Sequence, residues 1–222
     1  MQKTLARALG TAMLAGGLCW PAARADTVVD FEPAVLTGLY LPGDSFSQGG
    51  YTLTVRLDFG VIDIAAALGA SSPTGNATQF YFNSNDGALR LERTDLGAFN
   101  LGGFAAAFVP LDPASAQTTV IVAVGTTQDN NQVSSWWGFA SSATSHFPFA
   151  AYSAPATFSN LRQVDFYACS LVGSAVCSQP TQNNGQFAID DILVSAVPEP
   201  ASPLLLTLGL LGLGLRARRS AR

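Results

Sequence analysis

Asp30 and Glu32 near one end of the chain, with Asp190 and Asp191 near the other, are the acids best placed to share a ligand. If the first and last strands of a β-sandwich pair, these four become neighbours. Clustered carboxylates repel unless a cation or protons intervene. Hard oxygen ligands on an exported domain point to a structural Ca²⁺. The competing reading is a solvated strand edge whose charges discourage aggregation. Trp136 and Trp137 are the second group, inside an aromatic run with Phe139, Phe147, Phe149 and Tyr152. Adjacent strand residues point to opposite faces, so one indole belongs to the core and the other can be exposed, where its apolar face could stack on a sugar ring. Packing of the whole run into the core is the alternative.

Catalytic constellations are otherwise scarce. The single histidine, His146, sits in a Ser/Ala/Phe-rich stretch with no nucleophile elbow or zinc-protease pattern beside it. Carboxylates are plentiful, and a glycosidase pair such as Asp63 with Asp165 would need the two to meet in space. The expectation is that the protein is not an enzyme; a secreted hydrolase is the outlying alternative.

The elements that must position these residues are strands. Tyr51 to Phe59 alternates apolar and polar without a break, and Leu89 and Leu91 alternate with Arg90 and Glu92 after an Asn85-Asp86-Gly87 turn. Further strands are expected at 27–31, 79–82, 99–108, 118–124, 133–139, 164–168 and 186–194, with no helix longer than Ile62 to Leu68. About nine short strands separated by Gly, Pro, Asn, Asp and Ser clusters imply one all-β, two-sheet sandwich of jelly-roll type.

Both ends of the chain carry addresses rather than fold. Lys3 and Arg7 precede an apolar segment from Ala8 to Trp20, and Ala23-Arg24-Ala25 is a small-x-small cleavage site, so residues 1–25 read as a secretory signal peptide for the Sec machinery and signal peptidase. Cys19 lacks the small preceding residue of a lipobox. Residues 26–196 form the body, with four arginines against fourteen acids, a net charge of −10 and no lysine. Such a surface repels nucleic acid and anionic lipid and suits divalent cations or neutral polysaccharide. The body's two cysteines, Cys169 and Cys177, read as one disulfide in an oxidising compartment. A redox pair would prefer two intervening residues to the seven found here.

Val197-Pro198-Glu199-Pro200 opens the C-terminal stretch, 197–222. The prolines hold it extended and stop a helix from starting before Pro200. Residues 201–215 are uncharged, and eight of the fifteen are Leu. Arg216, Arg218, Arg219 and Arg222 lie in the basic end, 216–222, which orients the segment with its arginines inside and the body outside. Fifteen helical residues reach about 22 Å against a hydrocarbon core of about 30 Å, enough to pause in a bilayer as a transmembrane sorting segment.

This ordered set of Pro-Glu-Pro, short apolar run and terminal arginines resembles the PEP-CTERM sorting signal of Gram-negative bacteria. The resemblance implies recognition by an exosortase, a membrane-embedded cysteine transpeptidase that cuts near the Pro-Glu-Pro. It also implies an envelope-anchored intermediate with a periplasmic body, then a cell-surface or extracellular protein in an exopolysaccharide and biofilm setting. Gln186-Phe187-Ala188-Ile189-Asp190 is similar to the QFxxD variant of these proteins, and to the terminal strand of some jelly-roll carbohydrate-binding modules in which the Asp helps hold calcium. The function expected is a structural or adhesive surface protein, the alternative a module that recognises exopolysaccharide.

Overall fold

The computed structural model describes residues 26–110, 119–140, 147–172, 176–178 and 185–198. One compact unit spans Ala25–Val197. Its strands are β1 (Thr27–Val29), β2 (Gly38–Tyr40), β3 (Ser45–Gln48), β4 (Tyr51–Arg56), β5 (Gly60–Ile64), β6 (Gln79–Asn83), β7 (Ala88–Arg93), β8 (Phe99–Phe108), β9 (Thr119–Thr127), β10 (Gln132–Gly138), β11 (Ala150–Ser153), β12 (Leu161–Val172), β13 (Val176–Ser178) and β14 (Phe187–Ala196).

Local chemistry sets these elements. In β4, Tyr51, Leu53 and Val55 are buried while Thr52, Thr54 and Arg56 face the other way, as a half-buried strand requires. β3 and β4 are joined through Gly49 and Gly50, with φ of 60° and 85°, and Gln48 pairs directly with Tyr51. Two positive φ values in a two-residue loop match the right-handed twist of a hairpin. A side chain at Gly49 would also lie 2.7 Å from the Thr27 methyl.

Antiparallel pairing gives two layers. The first runs β3-β4-β7-β12-β9-β10, with β13 hydrogen-bonded to the end of β12. The second runs β2-β5-β6-β14-β8-β11, and β1 lies along β14 next to β6. Among the described residues, the pairing passes from one layer to the other only through Leu161 opposite Phe99. Rings from the two layers interdigitate: Phe46 and Tyr81 are 6.4 Å apart, Tyr51 and Phe99 5.6 Å, and Phe104 and Phe166 5.3 Å. Each such ring, buried from water, contributes about 2–3 kcal/mol. The expected all-β sandwich is what forms.

The outward sides of the layers differ. Phe80, Phe82 and Ala188 point out of the second layer and are buried with Val109. They are covered by Ala65 and Leu68 of a 3₁₀ segment, Ala65–Ser71, and by Phe149. That covering element replaces the expected helix over 62–68. Ile62 instead belongs to β5, buried opposite Tyr81, and only the residues after Ile64 coil. β1 likewise stops at Val29 rather than Phe31, because Phe31 takes a φ of 56° and turns its ring fully into the core.

Candidate functional site

The outward side of the first layer carries two of the candidate residues, Trp136 and Asp165. Strand register defines rows across it. Trp136 stands opposite Val122, Val122 opposite Tyr167, Tyr167 opposite Ala88, and Ala88 opposite Arg56. The next row holds Ser134, Val124, Asp165, Arg90 and Thr54, and the third holds Gln132, Thr126, Gln163, Glu92 and Thr52.

The adjacent tryptophans divide as strand alternation demands. Trp137 turns inward, its ring 5.1 Å from Phe104 and perpendicular to it, and its indole N–H donates to the Ser153 carbonyl at 3.2 Å. Trp136 is 57% exposed. It lines a shallow groove of about 270 Å³ with Val122, Val124, Gln132, Ser134, Ser135 and Tyr167. Tyr167 was not singled out in the sequence. Its signal was there: it sits out of phase with Val164, Phe166 and Ala168, which face the core. Burial, and then the Asp165 charge, raise its phenol above the usual range.

Beside the groove Arg90 donates from Nε and Nη2 to the two oxygens of Asp165 at 2.8 and 2.9 Å. This fork–fork hydrogen bond is the main cause holding the Arg90 guanidinium above its ordinary pKa. With its amide turned to satisfy both ends, Gln163 accepts from Arg90 at 3.1 Å and donates to Glu92 at 3.2 Å. Arg90, Asp165 and Glu92 are thus linked to one another directly or through Gln163, and the side chains between them offer donors and acceptors in fixed positions.

The seam acids have a different setting. β1 and β14 do pair, with Val29 opposite Ile192, and this brings the two ends of the body together. Asp190 is 2% exposed on the covered side of the second layer. Asn76 donates to it at 2.6 Å and the Asp191 amide at 2.8 Å, while Thr78 fixes Asn76 by donating to its carbonyl oxygen through both N–H and hydroxyl. Burial pushes Asp190 up to about 7, with the Asp191 and Glu32 charges adding to it and the two hydrogen bonds opposing it. Asp30 accepts from the Glu32 amide and from Gln48 instead. Asp191 and Glu32 are exposed. Among the described residues no three His, Cys, Asp or Glu converge as they would around one metal ion. Nothing in the sequence linked Asn76 to Asp190, which it meets from 114 positions away.

Asp63 and Asp165 do not form a pair. Asp63 lies on β5 of the second layer and Asp165 on β12 of the first, bound to Arg90. Cys169 is buried on β12, and the β12–β13 pairing sets Cys177 opposite Leu171. His146 and the cleavage-site residues Ala23 and Ala25 lie outside the described residues.

β14 ends at Ala196, the Val197 amide donates to the Ala98 carbonyl at 3.0 Å, and Pro198 is exposed. The sandwich is complete where the Pro-Glu-Pro begins. Residues 196–219 match the PEP-CTERM protein-sorting motif. The chain thus carries this sorting signal directly after its last strand. Glu199, Pro200, the apolar run 201–215 and Arg216, Arg218, Arg219 and Arg222 are outside the described residues. Among those that are described, no helix is long and apolar enough to cross a membrane.

No curated protein matches the chain. Solved structures similar to it include TmCBM61 in complex with β-1,4-galactotriose, at 10% identity over 67% of this chain and 90% of that one, with a TM-score of 0.34. Another is the CBM22-1 xylan-binding domain of Paenibacillus barcinonensis Xyn10C, at 12% identity over 81% and 100%, with a TM-score of 0.32. The tailspike protein 4 enzymatically active domain of bacteriophage CBA120 aligns at 15% identity over 76% and 20%, with a TM-score of 0.29.

Proposed function

We propose that the chain is an exported protein, delivered through the Sec machinery, freed of residues 1–25 by signal peptidase, and processed by an exosortase at the Val197-Pro198-Glu199-Pro200 neck. The observation that carries this reading is the sorting-motif match at 196–219, whose Pro198 follows directly on Val197 and its backbone hydrogen bond to Ala98. A cut after Val197 removes nothing from the core. The released body serves at the cell surface or in the extracellular matrix in a structural or adhesive role. Cys169 is in its oxidised, disulfide-bonded state, which supports closure onto Cys177, two positions from it across the β12–β13 pairing.

The test is the C-terminus of the protein recovered from cells with and without the sorting enzyme. Mass spectrometry should find chains ending near Pro198 in the first case and at Arg222 in the second. An intact Arg222 in both, with unchanged location after deletion of 198–200, would overturn the proposal.

A second reading is favoured by a separate observation. Trp136 stands exposed beside a groove that also presents Tyr167, Gln132 and Ser134. An exposed indole flanked by hydroxyl and amide groups is the surface that a sugar ring requires, apolar contact from one side and hydrogen bonds at its rim. In this reading the body recognises exopolysaccharide. Glycan screening of the protein and its Trp136→Ala and Trp137→Ala variants tests it: binding that needs Trp136 is expected, and no binding to any glycan rejects it.

A further inference from the structure

We infer that the outward face of the first layer takes a neutral, extended β-1,4-linked polysaccharide laid across the strands, with Trp136 and Tyr167 stacking on every second sugar. This rests on the glycan-binding reading above and names its ligand class.

Three features point the same way. The first is spacing. Trp136 on β10 and Tyr167 on β12 belong to one row and are separated by a single strand, β9. Neighbouring strands lie about 4.8 Å apart, so the two backbone positions from which the rings rise stand about 10 Å apart. An extended β-1,4-linked chain with a nearly two-fold twist shows the same pyranose face at every second ring, over a repeat of that length. An α-1,4-linked chain coils and leaves the second platform unmatched. The second feature is relief. Between and beyond the platforms the row drops to Val122 and Ala88, 5% and 6% exposed, leaving a low floor for the intervening sugar. The adjacent row, with Ser134, Asp165, Arg90 and Thr54, sets fixed donors and acceptors along the chain's flank.

The third feature is charge. The face carries Arg56, Arg90, Glu92 and Asp165, which cancel, and Arg90 and Asp165 are joined to each other. The body around it bears −10. An acidic polymer would be repelled on approach, and a neutral one would not. Complementarity is with hydroxyls rather than with carboxylates.

The experiment is calorimetric titration of the exported, processed protein with cello- and manno-oligosaccharides from the di- to the hexasaccharide. Malto-oligosaccharides and polygalacturonate are the α-linked and acidic comparisons. A trisaccharide is the shortest ligand that reaches both rings, so affinity should rise roughly tenfold from di- to trisaccharide, the weight of one added aromatic contact. Trp136→Ala and Tyr167→Ala should each lose roughly that factor. Tyr167→Ala should also abolish the step from di- to trisaccharide, and Tyr167→Phe should keep it. Trp136-dependent binding that prefers the α-linked or acidic series overturns the ligand class but leaves glycan recognition standing. Failure of the unmodified protein to bind any of the series rejects both.

Discussion

The two outward faces of this sandwich are made of the same element and used in opposite ways. On the second layer, Phe80, Phe82 and Ala188 are sealed under a 3₁₀ segment and Phe149, and Asp190 is shut in with them. On the first layer, Trp136 is open to solvent, and the Arg90–Asp165 pair remains about a quarter exposed on each side chain. A carboxylate shut away from water is held by Asn76 and pushed towards protonation. One beside a guanidinium in a wet face keeps its charge partner and a defined geometry. The covered face contributes to stability, and the open one is free to meet a ligand.

The largest test of this contrast removes a ring from the covered face. Phe80→Ala should cost about 3–5 kcal/mol in urea unfolding, because the vacated volume is walled by Phe82, Ala65, Leu68 and Phe149 and cannot refill with water. A loss below about 1 kcal/mol would mean that the covering segment is not packed in solution.

Protonation of Asp190 comes next. Its folded pKa, about 7, lies above the value near 3.9 expected in the unfolded chain, so the native state binds the proton more tightly. Its contribution to stability is therefore fully present below about pH 4, declines as pH rises, and is gone above about pH 7. The difference is at most roughly 4 kcal/mol. Asp190→Asn should flatten this part of the pH profile and raise stability at neutral pH, since an amide oxygen still accepts from Asn76. The same melts with calcium and then chelator sharpen the point. With both Asp190 oxygens already engaged, the midpoint should not move; a rise of several degrees would show that the seam acids gather around the ion.

How much of this contrast the sequence revealed depended on the range of the interaction. Alternation in 51–59 and 89–92 is local, and β4 and β7 appear within it, as does the opposition of Trp136 and Trp137; but β4 stops at Arg56, because Leu57 takes a φ of 72° and turns outward, 65% exposed. The pairing of the first and last strands enters the sequence reading only as a condition, and the structure supplies it with Val29 opposite Ile192. What was hidden is non-local or one-sided. The helix expected over 62–68 overlaps the end of β5, since Ile62, Ile64 and the alanines after them fit either period. Only the meeting of Ile62 with Tyr81 decides it. Edge strands such as β2 and β11 are too short and too mixed in burial to show a pattern. Tyr167 becomes a candidate only when register sets it two strands from Trp136, and Asn76 only when the chain folds back onto Asp190.

The ion pair on the open face should matter less than either change on the covered one. Arg90→Ala or Asp165→Ala is expected to cost about 1 kcal/mol or less, because solvent screens a pair of this exposure. A double-mutant cycle should give a coupling of a few tenths to about 1 kcal/mol, and it should shrink in high salt. A coupling several times larger would mean that this face is drier than its exposure indicates.

The smallest effect on stability is expected at the most exposed ring. Trp136→Ala removes a side chain that stands 57% exposed at the edge of the groove and closes no cavity, so unfolding should change by no more than about 0.5 kcal/mol. Trp137→Ala, on the neighbouring position, deletes a ring packed on Phe104 and a hydrogen bond to Ser153, and should cost about 3 kcal/mol. The two substitutions are one residue apart and chemically identical, so their ratio reads out which face each ring occupies. A protein that loses as much stability from Trp136→Ala as from Trp137→Ala would have that outward groove closed, and the division between a covered face and an open one would fail.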